Sequence, residues 1–235
     1  MLAKPLQSHA QLSLGIPNID TLFPGVKAGD FALFYGLPTI VSLSLRLCVR
    51  AQLPTALGGL ETNPIFIDGG NTFRLYKVSR IAQSYQLDPR QVLERIYISR
   101  SYTAYQMTST ILEKLEETVN MYNSKVVIIS DIAGLYLDKD VPAQEAKEVF
   151  AQTTACLSRL AKEKQIIIVA TFLPHCHSRL NIFLYAVACG RANVVISVNP
   201  TKFGQVFALE KHSVLGLECV KFPSRNRTLD QFGRN

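Results

Sequence analysis

The chain has 235 residues and a mass of 26.1 kDa, with 48% apolar and 18% charged residues, which excludes a disordered or collagen-like polypeptide. Lysine and arginine number 25 against 18 aspartate and glutamate, so the net charge is +7 and the pI about 9.2. Such a balance suits nucleic acid or another polyanion as a partner. The length suits one domain over 1–235, with an N-terminal arm at 1–11 and a basic tail at 223–235. No run reaches the ~18 uninterrupted apolar residues of a membrane helix. Met1-Leu2-Ala3-Lys4-Pro5 lacks the apolar stretch of a secretory signal. Cys48, Cys156, Cys176, Cys189 and Cys219 form no CxxC pair, and their irregular spacing reads as reduced thiols in a cytoplasmic protein.

The charge is uneven. From Val41 to Leu112 there are 8 basic against 4 acidic residues, from Glu113 to Glu148 the balance is 4 against 8, and from Arg179 onward it is 8 against 3. In chain order, Phe31–Tyr35, Pro64–Asp68, Ile96–Ser99, Lys125–Ser130 and Gln165–Thr171 are short apolar runs of the kind that form strands buried on both faces of a parallel sheet. Helical spacing fills the gaps. Leu75, Val78, Ile81 and Ala82 share a face within Arg74–Tyr85. Ile111, Leu112, Leu115 and Val119 share one within Thr108–Met121. Ala143–Lys164 carries Val149, Phe150, Thr153, Cys156, Leu157, Leu160 and Ala161. The alternation predicts an α/β fold with a mostly parallel central sheet flanked by helices. Past Arg191, the runs Val194–Val198, Phe203–Leu209 and Leu217–Phe222 predict antiparallel C-terminal strands. Val41–Arg50 is in conflict: its apolar and polar residues alternate as in a strand, while its place after a strand and a glycine turn calls for a helix.

In such sheets ligands bind beyond the carboxyl ends of the strands, so the residues that follow each strand carry the chemistry. Ile67-Asp68-Gly69-Gly70-Asn71-Thr72-Phe73-Arg74 resembles the "IDTENTFR" motif of the RecA/RadA recombinase family. Leu12-Ser13-Leu14-Gly15 with Ile19-Asp20-Thr21-Leu22 resembles that family's "ISTG…LDxLLGGG" lead-in. Leu87-Asp88-Pro89, Val92-Leu93 and Ile96 to Tyr102 resemble "LDPDEVLxxIYVARAY", and Gln106-Met107 stands where the family has "HQM". The resemblance runs from about Leu12 to Phe222 and is nearest to the archaeal and eukaryotic branch. It implies a RecA-like ATPase core without the family's N-terminal helical DNA-binding domain.

The departures from the pattern bear on function. A P-loop reads GxxxxGK[ST]: glycines let amides wrap the phosphates, the lysine neutralises them, and the hydroxyl binds magnesium. Here Gly36 opens the motif, Thr39 lies within it, and Val41, Ser42 and Leu43 stand at the second glycine, the lysine and the Ser/Thr. The missing lysine removes a charge-assisted bond worth roughly 1.5–3 kcal/mol. By the same resemblance, the glutamate that polarises water is replaced by Gly70 and the sensor glutamine of "TNQ" by Leu173, while Asp131 remains at the magnesium-orienting position as a vestige that reads as a helix cap or loop hydrogen bond, its partners being gone. These substitutions predict a pseudo-ATPase with no catalytic residue, no cofactor and no metal. They also favour a helix over 41–50, after the vanished loop.

Other groups are weighed by their chemistry. His175-Cys176-His177 has spacing too tight for a closed zinc site and reads as loop. Pro174–Arg191 begins there, where the recombinase family carries a mobile DNA-binding loop, although the apolar Asn181–Ala188 within it predicts a core helix. Tyr97, Tyr102 and Tyr105 interleave with Arg95 and Arg100 and read either as sheet-edge packing or as base-stacking residues. Arg100, Arg179, Arg191, Lys202, Arg225 and Arg227 are the DNA-contact candidates. The reading is a non-catalytic recombinase paralog in homologous recombination and repair. Its partners would be a RecA/RadA-type recombinase or another RecA-like paralog, and DNA, single-stranded in preference, with self-association open and no membrane contact. It would sit in the cytoplasm, in association with the nucleoid. The alternative is a regulatory or scaffold subunit of a KaiC-like or motor-associated assembly without DNA contact.

Overall fold

A computed structural model describes residues 11–175 and 177–223. In chain order the strands are β1 (Gln11–Leu12), β2 (Val26–Lys27), β3 (Phe31–Gly36), β4 (Ile65–Asp68), β5 (Tyr97–Arg100), β6 (Val126–Ser130), β7 (Ile167–Phe172), β8 (Val194–Thr201), β9 (Gly204–Lys211) and β10 (Cys219–Pro223). The helices are α1 (Pro17–Asp20), α2 (Thr39–Arg50), α3 (Leu75–Ser84), α4 (Pro89–Glu94), α5 (Ala104–Ser109), α6 (Leu115–Tyr122), α7 (Ala143–Lys164) and α8 (Arg179–Arg191). The main sheet has eight strands in the order β10-β9-β8-β3-β7-β6-β4-β5. β8 through β5 in that order run parallel, and β9 and β10 are antiparallel at one edge. The expected α/β architecture with antiparallel C-terminal strands is the one observed.

The core follows from the two-residue period of the strands. Ala32, Phe34, Phe66, Val126, Ile128, Val169 and Ile196 point to one face, where α2, α3 and α4 supply Leu43, Leu47, Val78 and Val92. Phe31, Leu33, Ile65, Ile67, Val127, Ile129 and Ile168 point to the other, against Met107, Ile111, Leu115, Phe150, Leu157 and Leu184 of the helices there. Each fully buried side chain of this size contributes roughly 1.5–3 kcal/mol. With both faces covered, the central strands need apolar residues at every position, which is why they read as continuous runs.

Three expectations about burial are corrected. β5 is an edge strand whose residues alternate in exposure, and Ile98 is 43% exposed, because among the described residues no strand pairs with its outer side. Leu75 is exposed at the first turn of α3, leaving Val78 and Ala82 as the buried contacts. Leu112 is also exposed. Between α5 and α6 the helix widens into a π turn over Thr110–Lys114. Met107, Ile111, Leu115 and Val119 then recur every four residues on the buried face, and the smaller rotation per residue turns Leu112 away from it. Val41–Arg50 lies in a helix: α2 buries Leu43, Ser44, Leu45, Leu47, Cys48 and Val49. Burial around most of its circumference explains why its apolar positions mimic a strand.

Candidate functional site

The turn after β3 lies at the carboxyl end of the parallel strands. Gly36 has φ 112°, and a Cβ on it would sit 2.2 Å from the Val198 carbonyl oxygen, so only glycine fits against β8. Leu37 N–H donates to that same carbonyl at 2.8 Å. Pro38 has no N–H to offer. Ile40 N–H donates to Leu37 O at 3.0 Å and Val41 N–H to Pro38 O at 3.1 Å. Helix α2 starts at Thr39, without a side-chain cap. The amides at 37, 40 and 41 are therefore bonded to protein carbonyls. Thr39 Oγ1 donates to Gln205 Oε1 at 3.1 Å, and Ser42 Oγ accepts from Lys77 Nζ. Ile40 is fully buried and Leu43 is nearly so.

Asp131 follows β6 and has φ 52°. Its N–H donates to Thr171 Oγ1 at 2.9 Å, and its carboxylate is 2.8 Å from His175 Nε2. The hydrogen bond that the His175 ring donates to the Asp131 carboxylate raises the His175 pKa above the usual imidazole range, against the opposing effect of burial. A Cβ on Gly70 would lie 2.8 Å from Asp131 Cβ, and one on Gly134 would lie 2.3 Å from Asp131 Oδ2. The aspartate is thus enclosed by two glycines and a histidine. Leu173 packs half-buried against the apolar core. Asp68, fully buried at the end of β4, accepts from Thr72 N at 2.7 Å and Phe73 N at 3.2 Å, and pairs with Arg100 at 3.2 Å. This carboxylate organises the loop that leads to α3.

A model of the Rad51 family matches residues 7–178. The chain belongs to the Rad51 family. Among similar proteins is the DNA repair and recombination protein RadA of Cenarchaeum symbiosum (strain A), 30% identical over 129 residues. That alignment covers 53% of this chain and 32% of the relative, so the chain spans about a third of the relative's length.

On this Rad51-family core, the sequence candidates for DNA contact do not form one cluster. Arg100 is held by Asp68, with its side chain 36% exposed. Arg179 and Arg191 are exposed at opposite ends of α8, which at 1.5 Å per residue are about 18 Å apart. Lys202 lies in the turn between β8 and β9. Arg225 and Arg227 lie outside the described residues. The expectation of a core helix over Asn181–Ala188 is corrected in part: α8 is a helix, but it buries only Leu184 and Ala188, while Ile182 is 62% exposed. It rests on one side of the sheet, so a stretch that is apolar all round still presents one face to solvent. Tyr97 stacks on Tyr122 with ring centroids 3.4 Å apart, whereas Tyr102 and Tyr105 are exposed. Among the described residues, no group of three or more His, Cys, Asp or Glu side chains could hold a metal ion.

Sequence reasoning missed Lys77 and His175. Lys77 comes from α3, 35 residues after Ser42, and no local spacing signals that pairing. His175 was legible only as part of a loop, because its partner Asp131 is 44 residues away. The Asp68–Arg100 pair did have a signal: both close neighbouring parallel strands and stand in register.

Proposed function

We propose that this Rad51-family protein is a non-hydrolysing paralog in homologous recombination and DNA repair, contacting DNA or a nucleotide-hydrolysing recombinase whose ATP supplies the energy. The observation that carries the reading is the turn after β3, where the amides at 37, 40 and 41 are bonded to protein carbonyls. A triphosphate needs several free amides pointing at one concavity, a lysine and a metal-binding hydroxyl. The residues here do not fit a magnesium-bound triphosphate. Position 42 offers a short hydroxyl already engaged by Lys77, position 43 is a nearly buried leucine, and Gly70 provides no carboxylate to activate water. No step of nucleotide hydrolysis is therefore assigned to this chain.

The excess of positive charge and the similarity to a RadA protein of DNA repair and recombination support the DNA limb of the reading. The cytoplasm, at the nucleoid, is the compartment where such a role would be exercised. Among the described residues no helix is long and apolar enough to cross a membrane.

Titration with a fluorescent ATP analogue and magnesium, together with a phosphate-release assay, tests the reading. We expect neither saturable binding in the micromolar range nor release above background. Micromolar affinity, or turnover abolished by Asp131→Ala, would overturn it.

A further inference from the structure

At the antiparallel edge of the sheet, β8 and β9 are joined by a two-residue turn, Lys202-Phe203, with Thr201 paired to Gly204. Two-residue hairpin turns favour Asn, Asp and Gly, which adopt the required backbone readily. Lysine and phenylalanine are not explained by the turn. The core does not explain them either, since Phe203 is 74% exposed. Lys202 Nζ lies 5.4 Å from the Phe203 ring centroid, a cation over an aromatic face. β10 runs alongside, with Lys221 opposite Val206 and Phe222 opposite Gln205. Thr201, Lys202, Phe203, Lys221 and Phe222 line one groove of about 380 Å³, and none of the five is acidic. The turn projects beyond the carboxyl end of β8, the end at which Gly36 pairs with Val198.

We propose that this groove is a stacking site for single-stranded nucleic acid, in which an unpaired base lies on Phe203 and the ammonium groups of Lys202 and Lys221 take flanking phosphates. The inference rests on the DNA limb of the function proposed above and gives it a location. The chemistry selects this ligand. An exposed phenyl ring offers a face to any base, because every base has a π surface. Two lysines that form no ion pair among the described residues match the phosphates on either side. Paired bases keep their faces against each other, so a duplex cannot use the ring. An acidic peptide would meet the lysines but would leave the ring without a role. The sequence beyond Pro223 continues the charge, with Arg225, Arg227 and Arg234 against Asp230.

The test is fluorescence anisotropy of a labelled oligothymidylate with the full chain, across a salt series, for the parent protein and for Phe203→Ala, Phe203→Trp and Lys202→Ala/Lys221→Ala. Val214→Ala, another exposed apolar residue outside the groove, is the control. The expected result is that Phe203→Ala weakens single-strand binding roughly tenfold with its salt slope unchanged. Phe203→Trp restores binding, the double lysine variant flattens the salt slope by between one and two counterions, and Val214→Ala changes nothing. Circular dichroism and melting temperature should be unchanged in all variants, since the residues are exposed. If the parent binds DNA and Phe203→Ala binds equally well, the groove is not the site and the broader reading stands. If the parent does not bind DNA at all, the DNA limb fails and this inference fails with it. If polyglutamate displaces the oligonucleotide and itself binds independently of Phe203, the groove belongs to an acidic protein partner, which also overturns the proposal.

Discussion

Gly36 and Gly70 are small for reasons that can be measured. At Gly36 an added Cβ meets the backbone of β8 at 2.2 Å, and the φ of 112° is strained for any side chain. Gly36→Ala should therefore destabilise the protein by about 2 kcal/mol or more, read as a lower denaturation midpoint. At Gly70 an added Cβ meets Asp131 Cβ at 2.8 Å and Thr72 Cγ2 at 2.9 Å. Gly70→Glu, which supplies a carboxylate where the resemblance implies one, should cost about 1–3 kcal/mol and yield no phosphate release. His212 provides a pH test. Its Nδ1 accepts from Val214 N at 3.0 Å and Leu215 N at 2.9 Å, and burial lowers its pKa. The unfolded chain then binds the proton more readily than the folded one, so stability rises with pH in that window. The contribution is complete above the ordinary imidazole pKa of about 6.5 and is lost as pH falls through the lower folded value. His212→Asn keeps an acceptor that does not titrate. Its melting temperature should depend less on pH between about 5 and 7 than the parent's; equal slopes would contradict the assignment.

Helix α2 decides what the turn before it can do. Because the helix begins at Thr39, residues that a P-loop keeps as open loop are inside its first turn, and the amides of Ile40 and Val41 are bonded to the carbonyls three residues back. Restoring the letters of the motif should not restore the cradle. Val41→Gly with Ser42→Lys and Leu43→Thr puts a glycine in a helix, removes apolar contact at position 43 and sets one ammonium beside that of Lys77. We expect a loss of about 2–3 kcal/mol, measured by chemical denaturation, and still no micromolar affinity for Mg-ATP. A triple variant that binds and hydrolyses ATP would place the defect in the side chains alone. The π turn at Thr110–Lys114 acts at the same scale: it keeps Ile111, Leu115 and Val119 on the sheet and turns Leu112 outward.

For the whole molecule, the preserved sheet and the altered turn are separable. Both faces carry continuous apolar clusters, so the fold does not depend on a bound nucleotide for its core. A ligand that binds only the folded state raises stability by about 2.7 kcal/mol at a hundredfold excess over its dissociation constant. Millimolar Mg-ATP should therefore leave the calorimetric transition where it is, whereas a functional nucleotide site with micromolar affinity would move it upward by several degrees.

Composition and periodicity were enough to establish the class of fold. The runs that became β3, β4, β6 and β7 are legible because burial on both faces demands apolar residues at every position, and α7 is legible because its period repeats for 22 residues. The reading of positions 41, 42, 43, 70 and 173 as departures from a motif rests on local resemblance alone and belongs to the proposed function. What local pattern could not give was decided by neighbours far along the chain. The strand-like alternation of 41–50 yielded to burial around a helix. Leu75, Leu112 and Ile98 became exposed because a helix start, a π turn and a sheet edge set their surroundings. Lys77 reached Ser42 and His175 reached Asp131 only because the sheet brings the carboxyl ends of its strands together. Period and composition are properties of a segment, whereas a side chain's partner and its access to water are properties of the packed chain.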